Sequence, residues 1–263
     1  MKKYKLLVND TIKVEDRTLY RIKALIDFSD IKAGDLGGYI EKEDNLSHEG
    51  NCWVYNKAIV SGKAWVCGNA RVYGNAIVYG DARVYGNAEV YGNAKVFGNA
   101  IVFGDAKVFG NAKVFGDARV NAEVYGDARV YGNAIVIGAR VYGNTKVFGN
   151  AIVIGARVYG NAEVYGNARV YGNASLCSNA YISSNDDIAL VQYFGSENRT
   201  TTFYRTKDGS IGVKCGCFEG TLDEFKSKVK ETHGDSCYAK EYLMIADLME
   251  MRFNREKENM KKK

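Results

Sequence analysis

The chain has 263 residues, a formal net charge of +5, 46% hydrophobic residues and 25% charged residues, which are ordinary values for a globular protein. No apolar run reaches the roughly 18 residues that a membrane-spanning helix needs, and the start MKKYKLLVNDTIKVED is too polar for a signal peptide. We therefore expect a cytoplasmic protein with no membrane partner, whose six cysteines remain thiols.

The first 50 residues form a non-repetitive leader. The stretches YKLLV and TLYRIKALIDF predict two β-strands, and the polar stretch DTIKVEDR between them predicts a turn. The glycine-rich stretch KAGDLGGYIEKEDNLSHEG then leads into the repeats. We expect this leader to be an N-terminal β cap.

Residues 51–185 contain a six-residue repeat, A-x-V-[YF]-G-[ND]. Alanine and valine flank one outward residue, so each unit predicts a short strand with Ala and Val on one side. The following Gly-Asn or Gly-Asp tolerates a positive φ and predicts a sharp turn. Three units per coil form a triangular prism filled by valine and alanine. The 23 units predict seven to eight coils and a length of about 35 Å, a pattern that resembles the left-handed parallel β-helix of hexapeptide-repeat proteins.

Residues 186–256 predict a small α/β domain. DIALVQYFG, TTTFYRTKDG and SIGVKCGCF indicate a meander of strands. A helix follows with Thr221 as N-cap, Glu224 completing a capping box, and Gly234 as its stop. The segment YAKEYLMIADLMEMRFNREKEN predicts a second helix whose apolar stripe packs on the domain, the alternative being a docking face. Residues 257–263 are expected to be a basic tail.

The repeat is shortened three times. Two residues are missing after Val120, and one residue is missing at Gly138-Ala139 and again at Gly155-Ala156. Because three units complete one coil, counting units places all three shortened corners on one vertex of the prism.

Aliphatic and basic residues surround this shortened vertex, where the usual corner aromatic is absent. They are Arg119, Asn121, Ile135, Ile137, Arg140, Ile152, Ile154 and Arg157, with Glu123 on the face beyond. An exposed apolar notch indicates a contact surface. Three interpretations remain open: a self-contact with the C-terminal helices or at the seam of a homotrimer, a ligand site, or deletions by replication slippage. In a ligand site, the arginines would bind phosphate or carboxylate and the isoleucines would receive a flat ring.

Enzymatic chemistry has few candidate residues. Acyltransferases of the hexapeptide-repeat class resemble this chain in fold and imply a histidine base, but His48 and His233 both lie outside the repeats. We expect His48 to be a structural cap residue. Zinc has one weak candidate, the set Cys215, Cys217, His233 and Cys237, whose spacing is not a common zinc signature. We therefore expect a non-catalytic protein with no catalytic residues, no metal and no cofactor.

The charge of the prism permits an anionic partner. Thirteen basic and seven acidic residues between Cys52 and Ile182 leave a net +6. We expect these charges to be spread over all three faces rather than gathered in one stripe, which argues against nucleic acid as a partner.

The leader, the repeat array and the tail TTTFYRTKDGSIGVKCGCFEGTLDEFKSKVKETHGDSCYAKEYL together resemble phage- and prophage-encoded hexapeptide-repeat proteins, often described as transferases or polymer-forming proteins. The resemblance implies the cytoplasm of an infected host and an anti-defence role, with no catalytic residue to transfer. Our leading hypothesis is an oligomer, expected to be a trimer, that sequesters a small anionic, nucleotide-type defence signal. The alternatives are a scaffold that binds a host or virion protein, and an acyltransferase.

Overall fold

The computed structural model describes residues 1–260, with side chains to Arg255. The last three residues of the predicted basic tail lie outside the described residues, and residues 257–260 continue the final helix. No helix in the described part of the chain is long and apolar enough to span a membrane.

The N-terminal leader is part of the main sheet. Strands β1 (Tyr4–Val14), β2 (Arg17–Ala24) and β3 (Leu36–Ile40) pair antiparallel, and β3 then pairs in parallel with the first repeats. The predicted long polar turn is wrong. A register shift between Leu7 and Thr11 lets the polar segment continue β1, so that the chain turns only after Val14.

The repeats form a parallel β-solenoid of about eight turns. Most of its strands are two residues long, because each consists of one outward residue and the inward valine. They are β4 (Trp53–Val54), β5 (Ile59–Val60), β6 (Trp65–Val66), β7 (Arg71–Val72), β8 (Ile77–Val78), β9 (Arg83–Val84), β10 (Glu89–Val90), β11 (Lys95–Val96), β12 (Ile101–Val102), β13 (Lys107–Val108), β14 (Lys113–Val114), β15 (Arg119–Val124), β16 (Arg129–Val130), β17 (Ile135–Val141), β18 (Lys146–Val147), β19 (Ile152–Ile154), β20 (Arg157–Val158), β21 (Glu163–Val164), β22 (Arg169–Tyr171), β23 (Ser175–Leu176) and β24 (Tyr181–Ile182).

The strands stack into three faces. The first face begins with β4, the second with β5 and the third with β6, and strands 18 residues apart pair in register. The inward valines and alanines of the full-length units are buried and form one continuous core. Burial of these apolar side chains is the main stabilising term of the fold.

Two of the three vertices carry aromatic ladders. After the first face, Tyr73, Tyr91 and Phe109 stack with ring centroids 4.7 and 4.8 Å apart and planes within 2°. After the second face, Phe97 and Phe115 stack in the same way at 4.8 Å. The third vertex retains only a looser pair, Tyr85 and Phe103, at 5.8 Å and 25° before the shortened corners begin.

The C-terminal residues form a four-stranded antiparallel meander with two helices. Thr221 and Glu224 form the predicted capping box, and Gly234 lies at the end of the first helix. The apolar stripe of the second helix packs partly into this domain, through Tyr242, Ala246 and Met249. The elements are β25 (Ile188–Phe194), β26 (Arg199–Arg205), β27 (Ile211–Cys215), β28 (Phe218–Thr221), α1 (Leu222–His233) and α2 (Cys237–Met260).

Candidate binding site at the shortened vertex

The three shortened corners lie one above another. Asn121 pairs in register with Ile137, and Ile137 pairs with Ile154. Strands β15 and β17 run through the vertex without a turn, so the first and third faces merge there into one sheet. The loss of one or two corner residues therefore converts a tight turn into continuous strand, and the predicted alignment on one vertex is confirmed by the register.

The vertex is open where ordinary corners are closely stacked. At the ordinary corner Gly92, an added Cβ would lie 3.1 Å from the backbone of the next coil. At Gly138, an added Cβ would meet no atom within 4 Å. A cavity of about 410 Å³ occupies this region, and the two arginines Arg140 and Arg157 line it together with Asn173 and Ser175.

The arginines differ in their partners. Arg140 Nε lies 3.0 Å from Glu123 Oε2 in an exposed ion pair. Arg157, directly above it in the register, is exposed and forms no ion pair within the described residues. Arg119 pairs in register with Ile135 on the third face and does not line the cavity. Arg157 is therefore the arginine of the vertex whose charge is available to a ligand.

Asn121 has a structural role. Its Oδ1 accepts a hydrogen bond from the Asp105 backbone N–H at 3.2 Å, and its amide lies where a Cβ on Gly104 would project, 2.6 Å away. In ordinary corners the glycine carbonyl of the next coil accepts the corresponding N–H, for example Asn87 N–H to Gly104 O at 2.8 Å. The Asn121 side chain thus replaces a missing backbone acceptor rather than facing the cavity.

None of the four isoleucines lines the cavity. Ile135 and Ile152 pair on the third face, whereas the cavity is lined from the first-face side. Ile137 is half-buried, and Ile154 is 36% exposed at the edge of the vertex. The predicted isoleucine wall therefore adjoins the arginine site but does not enclose it.

A second cavity adjoins the first and includes residues that the sequence analysis did not identify. It has a volume of about 350 Å³ and shares Arg157 and Ser175 with the first cavity. Its solenoid side carries Tyr142 and Tyr159, which stack at 5.2 Å. Its other side consists of Arg199, Thr200, Lys214 and Gly216 from the C-terminal sheet. Strands β26 and β27, rather than the C-terminal helices expected in the self-contact interpretation, therefore border the site.

Specific contacts hold the C-terminal sheet against the last coil. The Ser175 backbone N–H donates to Thr202 Oγ1 at 3.0 Å, and Cys177 Sγ lies 3.0 Å from the Tyr204 hydroxyl. Tyr204 is buried within the solenoid core cluster. This docking brings Arg199 and Lys214 near Arg157, and no spacing in the sequence indicates it.

The electrostatics of the site favour an anion. Arg199 pairs with Glu197 at 3.1 Å and Lys214 with Glu219 at 3.6 Å, and Arg157 adds a charge with no ion-pair partner in the described chain. Burial raises the pKa of Tyr159 well above its ordinary range. A hydrogen bond with Cys177 adds to this rise, so the Tyr159 hydroxyl remains neutral.

Only three of the four candidate zinc ligands lie around one cavity. Cys215, Cys217 and His233 line a third cavity of about 590 Å³ in the C-terminal domain, and Cys237 is exposed outside it. Cys215 Sγ accepts a hydrogen bond from Thr201 Oγ1 at 3.0 Å, and His233 stacks on Tyr242. The described residues contain no group of three or more His, Cys, Asp or Glu side chains placed to hold a metal ion.

His48 lies in the N-terminal cap. Its Nδ1 accepts the Lys3 backbone N–H at 3.1 Å, and its ring stacks on Tyr4 at 4.4 Å. Burial lowers the pKa of His48, so its imidazole is neutral near neutral pH. These contacts match the cap role expected for it.

Comparison with known proteins gives matches to parts of the chain. One relative is a protein of Escherichia coli (strain K12) described as the uncharacterized acetyltransferase YdcK, 43% identical over 51 residues. That match spans 17% of this chain and 16% of the relative. The chain also matches a family model described as the YdcK Beta solenoid repeat, over residues 64–80, 70–86, 122–138, 128–144 and 162–178. The chain is therefore similar to a family of β-solenoid repeat proteins.

Proposed function

We propose that this protein is a non-catalytic binding protein that holds a small anionic, ring-bearing ligand where the shortened vertex meets the C-terminal sheet. The observation that carries the proposal is Arg157, an exposed arginine shared by two adjoining cavities and without an ion-pair partner in the described residues. The volumes of the two cavities, about 410 and 350 Å³, fall within the range of small-molecule sites.

Each part of such a ligand has a counterpart in the site. Arg157, assisted by Arg199 and Lys214, supplies charge and hydrogen-bond donors for phosphate or carboxylate oxygens. Tyr142 and Tyr159 supply apolar ring surface beside these charges. The ring therefore contacts the tyrosines of the second cavity, whereas the sequence analysis had assigned it to the four isoleucines.

The biological context of the proposal comes from resemblance alone. A phage-encoded protein of this type would sequester a nucleotide-type signal of host defence in the infected cytoplasm and release it unchanged. A homotrimer is compatible with the proposal as long as the vertex stays accessible to solvent.

Binding titrations of a panel of nucleoside monophosphates and cyclic dinucleotides test the proposal. Arg157→Ala removes a charge-assisted hydrogen bond and should weaken binding by about 10- to 100-fold. Arg140→Ala should weaken it less, because Glu123 already pairs with that arginine. Arg169→Ala is the matched control, an exposed arginine on the third face that does not line either cavity. Equal affinities for the Arg157 and Arg169 variants would refute the assignment.

An acyltransferase is the second candidate, because the similarity to the protein described as an uncharacterized acetyltransferase favours it. Its histidines would be His233, at the 590 Å³ cavity, or His48 in the cap. Acetyl-CoA turnover that is lost in His233→Ala or His48→Ala would support this candidate and contradict the non-catalytic proposal.

A further inference from the structure

The second face of the solenoid carries an uninterrupted column of basic residues. Lys95, Lys113, Arg129 and Lys146 occupy the same outward position in four successive coils and pair directly in register. Lys146 forms an ion pair of 3.0 Å with Glu163, which ends the column. The other three side chains form no ion pair within the described residues.

The other two faces interrupt their basic residues. On the first face acids alternate with bases in the order Arg71, Glu89, Lys107, Glu123 and Arg140, and only Arg140 and Arg157 at its end are adjacent bases. On the third face an aliphatic residue separates the arginines, in the order Arg83, Ile101 and Arg119. The charges are spread over three faces, as the sequence predicted, but the expectation that no stripe forms is wrong, because the second face places four bases in succession.

The like charges of such a column destabilise the folded protein unless an anion binds to them. Like charges at directly paired positions of a sheet repel and destabilise it, and adjacent strands are only about 4.8 Å apart. Two carboxylates border the column, Asp117 and Asp127. Each accepts a hydrogen bond from the asparagine one coil earlier, from Asn99 at 2.8 Å and from Asn111 at 3.0 Å. These two carboxylates keep their charge, but they form amide hydrogen bonds and no ion pair with the column within the described residues.

An aromatic ladder runs along one side of the column. Phe97, Phe115, Tyr131 and Phe148 stack with centroids 4.8 to 4.9 Å apart. Because the rings cover each other's faces and are half-buried, they offer ring edges rather than open stacking surfaces. A ligand with flat groups can lie against these edges, but it cannot insert between the rings.

We propose that this column binds the phosphate backbone of a single-stranded nucleic acid laid along the solenoid axis. Four positions span three steps of about 4.8 Å, or about 14 Å in a straight line. An extended single strand can follow this line, whereas the backbone of a duplex winds away from it. Basic residues that track the backbone are one usual feature of single-strand binding without sequence preference, and here the nucleobases would lie against ring edges instead of stacking on open rings. This inference is independent of the proposed function, which uses a different vertex.

Fluorescence anisotropy with a labelled oligodeoxythymidylate tests the proposal. The test variant carries Lys95→Gln, Lys113→Gln and Arg129→Gln. The matched control carries Arg83→Gln, Lys107→Gln and Arg169→Gln, which remove the same charge from isolated positions on the other faces. The column variant should bind on the order of tenfold more weakly, and its log K against log [salt] slope should be shallower by about 2, at about 0.7 per phosphate. The control variant should keep both the affinity and the slope.

Additional variants and ligands distinguish a specific site from an effect of net charge. The charge-conserving variant Lys95→Arg, Lys113→Arg should bind as the unchanged protein does, and thermal unfolding should show all variants folded. Equal weakening in the column and control variants would overturn the proposal, since it would report net charge only. Binding of a duplex of the same length as tightly as the single strand would contradict the single-strand assignment. If inorganic polyphosphate binds and the oligonucleotide does not, the assignment to nucleic acid is contradicted.

Discussion

The aromatic ladder after the first face should stabilise the solenoid through ring stacking in addition to burial. Tyr91 stacks on both neighbours, Tyr73 at 4.7 Å and Phe109 at 4.8 Å, with planes within 2°. Tyr85, one corner earlier, has one looser partner, Phe103, at 5.8 Å and 25°. Both tyrosines are half-buried in the same stretch of full-length units. Replacing each with leucine therefore removes similar side chains that differ mainly in stacking.

Each well-stacked pair contributes about 0.5–1.5 kcal/mol beyond its buried area. Tyr91→Leu removes two such pairs and should lower the free energy of unfolding by about 1–3 kcal/mol through stacking. Tyr85→Leu removes one pair of poorer geometry and should lose less than about 1 kcal/mol of stacking. Because each coil contacts only its neighbours, the loss at Tyr91 falls on two inter-coil interfaces.

Urea unfolding followed by circular dichroism measures the difference, provided that the slope with urea stays constant among the variants. Tyr91→Phe is the control that keeps the stacked ring, and its stability should stay within about 0.5 kcal/mol of the unchanged protein. Equal losses for Tyr91→Leu and Tyr85→Leu would refute the reasoning, because the ladder would then contribute only buried area.

Three further predictions concern single positions. Gly92→Ala should destabilise more than Gly138→Ala, because both have a positive φ but only Gly92 would place a Cβ 3.1 Å from the next coil; equal shifts in Tm would contradict this. His48 has a lowered pKa in the fold, so the unfolded chain takes up its proton first and stability should fall as the pH drops below about 6.5. His48→Gln should flatten the change of stability with pH between pH 7 and 5, measured by urea midpoints. An unchanged pH dependence in this variant would argue against the role of His48. Burial raises the pKa of Cys52, so iodoacetamide should modify exposed Cys217 first, and early labelling of Cys52 in mass spectra would count against the buried cap.

The solenoid could be predicted from the sequence because its inward positions are set locally. Alternation about one outward residue and a glycine at each corner determine which side chains face the core, and counting units determines the vertex. The positions of Arg140 and Arg157 in adjacent coils followed from that count. The exclusion of Ile137 from the cavity did not follow from it, because the lost residue turns the corner into continuous strand and leaves Ile137 on the third-face side.

The second half of the candidate site could not be predicted. Arg199 and Lys214 reach Arg157 only because the C-terminal sheet docks on the last coil through contacts such as Cys177 with Tyr204. Cys177 and Tyr204 are ordinary core residues by type, and Arg199 and Lys214 are ordinary strand residues. Neither periodicity nor spacing in the sequence relates the last coil to the C-terminal sheet. The basic column of the second face, by contrast, was present in the repeat, and sorting its charges by face would have identified it.

The central claim is that the vertex around Arg157 retains a small anionic ligand without altering it. Native mass spectrometry of the protein purified from phage-challenged cells tests this most directly, with Arg157→Ala and Arg169→Ala prepared in parallel. We predict an excess mass of one small ligand per site in the unchanged protein and in Arg169→Ala, which is absent in Arg157→Ala and is released intact as a nucleotide on denaturation. No excess mass in the unchanged protein, or an equal excess in Arg157→Ala, would contradict the claim.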